Sequence, residues 1–365
     1  MNITKPELLI DEVKCKANIE SMNARCVEKN ISFRPHFKTH QSIDIGQWFK
    51  EFGISKIAVS SLSMADYFSK DWPDILVAFP ANILEIHLIN DLARRIKLSL
   101  LVESAETIDY LSENIFCPIN LYLKIDAGYH RTGISYDNYP LIDTILEKIN
   151  QSKNLNFAGF LTHSGNTYGC LGIEEVNNIH LVNKNRFIQL KKRYITEYPG
   201  LILTYGDTPS ASVADDFDGI DELRPGNFVC YDVMQVQIGS CHFKQIAVVL
   251  ACPVVAIHKE RGELIIYGGA IHLSRDAVKW EDKGIIYGLI AEKLPLGWGE
   301  PIKDAFVSSL SQEHGKIKMP KDELLKYSVG DIIYVYPVHS CLTISSMRSF
   351  MDLKGKKIEV YRGLQ

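Results

Sequence analysis

Over the first 230 or so residues, short apolar, β-rich runs alternate with longer stretches in which apolar residues recur at helical spacing. The strand-like runs are ISFRPHF (31–37), KIAVSS (56–61), DILVAF (74–79), LSLLVES (98–104), INLYLKID (119–126), LNFAGFLTH (155–163), LILTYG (201–206) and ELRPGNFV (222–229). Helices are predicted over 42–52, 105–114, 139–150 and 173–197, with a shorter segment at 208–216. Ser104 and Ser210 stand where N-caps are expected. Strict alternation of eight strands predicts a parallel (β/α)8 TIM-type barrel in the α/β class, with an open doubly wound sheet as the alternative. Beyond residue 235 the pattern changes. HFKQIAVVLACPVVAIHKE, GELIIYGGAIHLS, IIYVYPVHSCLT and KIEVYRG read as strands with few helices between them, which predicts a C-terminal antiparallel β domain. The expected division is a barrel over 12–235 and a β domain over 236–365. Residues 1–11, with the run ELLID, are expected to join the β domain as a strand.

Composition narrows the classes. Of 365 residues, 46% are hydrophobic and 23% charged, as in an ordinary globular protein. Lys and Arg number 40 against 44 Asp and Glu, so no basic surplus calls for nucleic acid or an anionic membrane. The start, MNITKPELLIDEVK, lacks the basic region and apolar run of a signal peptide. The longest apolar run, IAVVLACPVVAI (246–257), is too short to span a bilayer and contains Pro253. The eight cysteines form no C-x-x-C, which points to free thiols in a reducing compartment, with cytoplasm expected.

The chemically unusual stretches follow the strands. Lys38 follows the first, DAGYHRTG (126–133) the fifth, THSGNTYG (162–169) the sixth and GDTPSAS (206–212) the seventh, while RPGN (224–227) lies within or after the eighth. In a β/α barrel these fall on the rim where active sites are built. Gly206, the hydroxyls of Thr208 and Ser210, and backbone donors at Gly226 and Asn227 have the character of a phosphate cradle. The same residues alone also suit an ordinary Gly/Pro turn. Lys38 by itself reads as a solvated lysine. At a strand end opposite a phosphate cradle, it reads as an amine placed to condense with an aldehyde, and pyridoxal phosphate is the cofactor that has both groups. In HSC, read as part of a strand, His339 and Cys341 point to one face about 6–7 Å apart. They could share a zinc ion with coordination positions left open; a buried cysteine beside a hydrogen-bonded histidine is the alternative. His314 of SQEHG is a further candidate neighbour.

Taken in order, RPHFKTH, DAGYHRTG, THSGNTYG, GDTPSAS, ELRPGNFVCYD, SQEHG and PVHSC resemble the D-serine dehydratase and D-threonine aldolase family, within the alanine-racemase-like (fold-type III) pyridoxal-phosphate enzymes. The resemblance runs from about residue 5 to 363. It implies that Lys38 carries pyridoxal 5'-phosphate covalently and acts as the catalytic base. It implies that Tyr168, Thr208, Gly226 and Asn227 contact the cofactor, mainly at its phosphate, with Arg131 and His163 on its ring side. It implies zinc on His339 and Cys341, a small amino-acid substrate, and a homodimer. The H-x-C pair, where D-threonine aldolases have H-x-D, resembles dehydratases, and a thiolate favours zinc over manganese or magnesium. The implied reaction is elimination from a β-hydroxy-D-amino acid to a 2-keto acid and ammonia. Aldol cleavage to glycine and an aldehyde is the alternative. An amino-acid racemase is the next, although it has no use for a metal pair. The second domain argues against a lone-barrel cofactor carrier. Gln41, Val338 and CLTISSM depart from the family pattern near the expected substrate pocket and leave the particular substrate open.

Overall fold

The computed structural model describes residues 2–280 and 283–363. It falls into two compact units: Glu20–Gly226, and the segment up to Ile19 together with Asn227–Arg362. The first strand, β1 (Glu7–Ile10), belongs to the second unit. The first unit holds β2 (Ser32–Phe33), β3 (Lys56–Val59), β4 (Asp74–Pro80), β5 (Lys97–Val102), β6 (Ile119–Asp126), the short β7 (Ile134–Ser135), β8 (Leu155–His163), β9 (Ile202–Gly206) and β10 (Glu222–Leu223). Apart from β7, which pairs only with β6, these strands run parallel in the order β2-β10-β9-β8-β6-β5-β4-β3. The ring closes between β2 and β3. Pro35 has no N–H to donate, yet its carbonyl accepts from Ala58 N (2.9 Å), and Phe37 N donates to Ala58 O (2.8 Å). The result is the eight-stranded barrel expected from the alternation, not an open sheet.

Every predicted barrel helix is present, including Ala105–Asn114, Tyr139–Gln151 and the short Thr208–Val213. Ser104 caps its helix as expected, accepting from Thr107 N at 3.2 Å. Ser210 does not. Asp207, three residues earlier, is the cap, accepting from Ser210 N at 2.7 Å, and Pro209 lies in the first helical turn, where its missing N–H leaves no bond unmade. The predicted strand 222–229 is also shorter than expected. It stops at Leu223, before Pro225 and Gly226, and Asn227–Val229 forms a 3-10 turn.

Inside the barrel, Ala58, Leu76, Leu101, Tyr122 and Leu161 pack as an apolar layer. Nearby lies a buried ionic layer. The fully buried Glu222 takes Arg34 Nε at 3.0 Å, Lys56 Nζ at 2.6 Å and the Thr204 hydroxyl at 2.9 Å, while Arg34 also reaches Asp74 at 2.7 Å. Burial alone would raise the Glu222 carboxyl, but Arg34 and Lys56 hold it below its ordinary value.

The second unit continues with β11 (Val248–His258), β12 (Glu263–Tyr267), β13 (Val278–Trp280), β14 (Gly284–Ile286), β15 (Gly288–Lys293), β16 (Trp298–Leu310), β17 (His314–Lys318), β18 (Ile332–Pro337), β19 (Ser349–Asp352) and β20 (Lys357–Glu359). Its main sheet runs β12-β17-β16-β15-β18-β11-β1-β19-β20, and β12 also pairs with β11. All pairs but β1–β19 are antiparallel. ELLI therefore runs as β1 against β11, with Leu9 opposite Val249. The predicted strand through HSC is corrected: β18 ends at Pro337, and His339 is the N-cap of the helix Ser340–Met347. Among the described residues no helix is long and apolar enough to cross a membrane.

Removing one partner from the ionic layer strands a buried charge. Glu222→Ala is expected to cost about 3–5 kcal/mol in chemical denaturation. The same change at the exposed Glu113 is expected to stay within about 0.5 kcal/mol.

Candidate active site

Lys38 is exposed, while the residues on either side of it, His36, Phe37, Thr39 and His40, are buried. The turn is held from below by Phe37, whose ring meets His40, Phe49, Phe68 and Trp72 at centroid distances of 4.3, 4.9, 5.2 and 5.0 Å. Its backbone is held from both sides. Lys38 N donates to His36 Nδ1 (3.3 Å), and Gln41 Nε2 donates to Lys38 O (3.0 Å). Gln41 itself adopts a left-handed conformation, with φ of 50°. Two imidazoles face this lysine. His36 is held well below its ordinary pKa by burial first, then by the charges of Lys38 and Arg224. His163 is held well below by burial, then by Lys38 and Arg131, and its Nδ1 contacts Gly206 O. Both therefore stay neutral beside the amine. His40 is lowered to about 3 by burial, and its ring packs edge-on against Phe37.

Three residues predicted as phosphate contacts come together. Thr208 N lies 3.3 Å from the Tyr168 hydroxyl, and Gly226 N lies 3.4 Å from Thr208 Oγ1. Gly226 is required here by space: a Cβ would sit 2.8 Å from His36 O. The backbone of Gly226 thus packs directly on the segment that leads into Lys38. On the other side, the Arg131 guanidinium stands 5.2 Å from the centroid of Tyr129, whose ring lies 6.0 Å from that of His163. Asp207, fully buried, is raised to about 6 by burial, opposed by its hydrogen bonds with Ser210 and Thr167. One primary amine, with hydroxyl and N–H donors gathered on the same rim, is a donor set that fits a phosphorylated aldehyde such as pyridoxal phosphate.

Two buried cations were not singled out from the sequence. Lys124 is 5% exposed, donates to Ile125 O at 3.1 Å, and has its pKa lowered to about 7 by burial first and then by Arg224 and Arg131. Arg224 donates through Nε to Thr204 Oγ1 (2.7 Å) and through Nη2 to Thr162 O (2.6 Å), and burial lowers it to about 10. A lone lysine within the apolar run INLYLKID was the available signal for Lys124.

In the second unit, the helix start carries the predicted metal pair. His339 Nδ1 lies 2.9 Å from Asp276 Oδ2. The side-chain amide of Asn227 donates toward Asp232 (2.6 Å), Ser340 Oγ (3.0 Å) and Cys341 Sγ (3.5 Å). Burial would lower the His339 imidazole, but Asp276 and Cys341 outweigh it and raise the group to about 11. An imidazole and a thiol that interact this closely are a soft donor set that fits zinc. Among the described residues no three His, Cys, Asp or Glu side chains are grouped to hold a metal. The pair therefore fits an open site. His314 is exposed at the start of β17.

The Lys124 environment generates a pH effect on stability. The unfolded chain binds a proton on this lysine up to about pH 10.5, the folded chain only below about 7. Stability should therefore rise with pH between those values, and Lys124→Met should flatten that rise. Urea denaturation of cofactor-free wild type and variant at pH 7 and 9 measures it.

The family model for the alanine racemase N-terminal domain matches residues 10–232, and a second model, named for serine dehydratases, matches 247–351. The D-serine dehydratase of Dictyostelium discoideum is 29% identical, over 96% of this chain and 93% of its own. The D-threo-3-hydroxyaspartate dehydratase of Delftia sp. (strain HT23) is 25% identical, over 97% and 95%. The solved structure of that Delftia enzyme superposes with a TM-score of 0.91 at 24% identity, covering 100% of this chain and 99% of its own. One of its solved variants is described as metal-free. The D-threonine aldolase of Filomicrobium marinum shares the fold with a TM-score of 0.82 at 18% identity, covering 99% and 98%.

Proposed function

The chain belongs to the alanine racemase N-terminal domain family, and on that premise we propose that it is a pyridoxal-phosphate- and zinc-dependent lyase acting on β-hydroxy-D-amino acids, of the D-serine dehydratase kind. The observation that carries the reading is the His339 and Cys341 pair, with the Asn227 amide directed at the sulfur. The near-full-length likeness to two dehydratases supports it.

In this reading Lys38 holds the cofactor and its freed amine takes the Cα proton of the substrate. The neutral imidazoles of His36 and His163 accompany that amine without adding positive charge. Tyr168, Thr208 and Gly226 hold the phosphate, with the backbone N–H of Asn227 as a further donor. Arg131 and His163 line the ring side. His339 and Cys341 hold the zinc. When bound, the cofactor supplies an electron sink for the Cα carbanion and the metal a Lewis acid for the β-hydroxyl. The products are a 2-keto acid and ammonia. All eight cysteines are free thiols, which supports a reducing cytoplasm as the working compartment, and we take the working form to be a homodimer.

Lys38→Ala should abolish the yellow chromophore and the linkage that borohydride fixes; a variant that kept either would sink the assignment. Cys341→Ala should lose zinc and elimination activity while keeping the chromophore; full activity in that variant and after chelation would remove zinc from the reading. The deciding assay supplies D-serine and D-threonine to the purified protein with and without chelator. Metal-dependent keto acid with ammonia is the expected result. Glycine with an aldehyde would make the protein an aldolase. Neither product, with the cofactor retained, would favour a racemase or another β-hydroxy substrate.

A further inference from the structure

We propose that Asp276 is a positioning residue that selects which nitrogen of His339 binds the metal: by accepting the Nδ1–H it leaves Nε2 as the ligand. The inference rests on the zinc reading above. An imidazole offers two nitrogens, and the partner of one decides the chemistry of the other. Asp276 Oδ2 lies 2.9 Å from His339 Nδ1, in the range of a charge-assisted hydrogen bond.

The contact is built from both sides. Asp276 sits in a tight turn made by Ser274, a non-glycine residue in the left-handed region with φ of 70°. Ser274 Oγ donates to Asp276 Oδ2 (3.1 Å) and accepts from Asp276 N (3.2 Å), which fixes the carboxylate relative to its own backbone. The segment carrying that turn is tied to the one carrying His339. The fully buried Thr343 hydroxyl lies 3.0 Å from Leu273 O and 3.1 Å from His339 O. One side chain thus bridges the residue three before Asp276 and the histidine itself. Asp276 does not read as a third ligand, since among the described residues no three such side chains are grouped for a metal. Its oxygen faces the ring nitrogen. The sulfur has a comparable support in the Asn227 amide, which Asp232 orients at 2.6 Å. Both ligands of the pair are therefore set before a metal arrives.

The test titrates zinc against a chromophoric chelator in wild-type holoenzyme and in Asp276→Ala and Asp276→Glu. It also records long-range proton–nitrogen spectra of the zinc-loaded wild type with labelled histidine. The expectation is zinc on Nε2 with a proton on Nδ1, an affinity lowered about 10–100-fold in Asp276→Ala, and partial recovery in Asp276→Glu. The cofactor absorbance should be unchanged throughout. Zinc on Nδ1 overturns the proposal without need of a variant, and so does an unchanged affinity in Asp276→Ala; either leaves the metal reading standing. Failure of wild type to bind zinc at all removes the metal reading and this inference with it.

Discussion

The barrel unit is organised around one buried carboxylate. Glu222 sits on β10, the neighbour of β2, and a charge this deep is stable only when paired and hydrogen-bonded. Arg34 supplies one partner from the segment that follows β2, and Lys56 the other from β3. β2 itself has only two paired residues on the β10 side. The ion pairs therefore hold the first strand between its neighbours where the backbone ladder is short. The same network leads upward: Thr204 donates to Glu222 and accepts from Arg224, which reaches Thr162 on β8. The position of Lys38, four residues after Arg34, follows from this lower layer.

Above it, charge accumulates with one sign. Lys38, Arg131, Lys124 and Arg224 are close enough to depress the imidazoles of His36 and His163, and Arg224 and Arg131 add to the depression of Lys124 by burial. The fully buried acid nearby, Asp207, is engaged as a helix cap. Lys124 and Arg224 are buried while Lys38 and Arg131 are exposed; burying the inner two cations costs solvation energy, and an anion beside them offsets that cost. A phosphate and an amino-acid carboxylate are both such anions. In the second unit an acid and an imidazole pair locally instead, Asp276 with His339.

Much of the fold was legible in the sequence because it rests on period and punctuation. Strand β6 was read with its bounds intact, and the helix 105–114 with both its bounds and its cap. The errors have physical causes. Proline marks the first turn of the helix that Asp207 caps and the places where strands stop at Leu223 and Pro337, and a capping rule applied one residue type at a time misses this. For the HSC segment, apolar continuity through Pro337 reads as strand, although the backbone turns into a helix at His339. Tyr168, Thr208 and Gly226, read from three separate motifs, lie together in the first unit. Asp276 was invisible. It lies 63 residues from His339 in a stretch with no motif, and only the third dimension brings the two together.

The pairing of β1 with β11 has a consequence for how the chain is made. Glu7 lies opposite Ala251, so β1 lacks its antiparallel partner until 244 more residues have been made. At synthesis rates of about 5–20 residues per second, that is a delay of about 12–50 seconds. During it the intervening Glu20–Gly226 segment is complete and free to fold as a unit. Leu8, Leu9 and Ile10, fully buried in the finished protein, stay uncovered for the same interval. Three apolar side chains thus wait for their partner strand while the barrel segment is made, and β11 ends that wait.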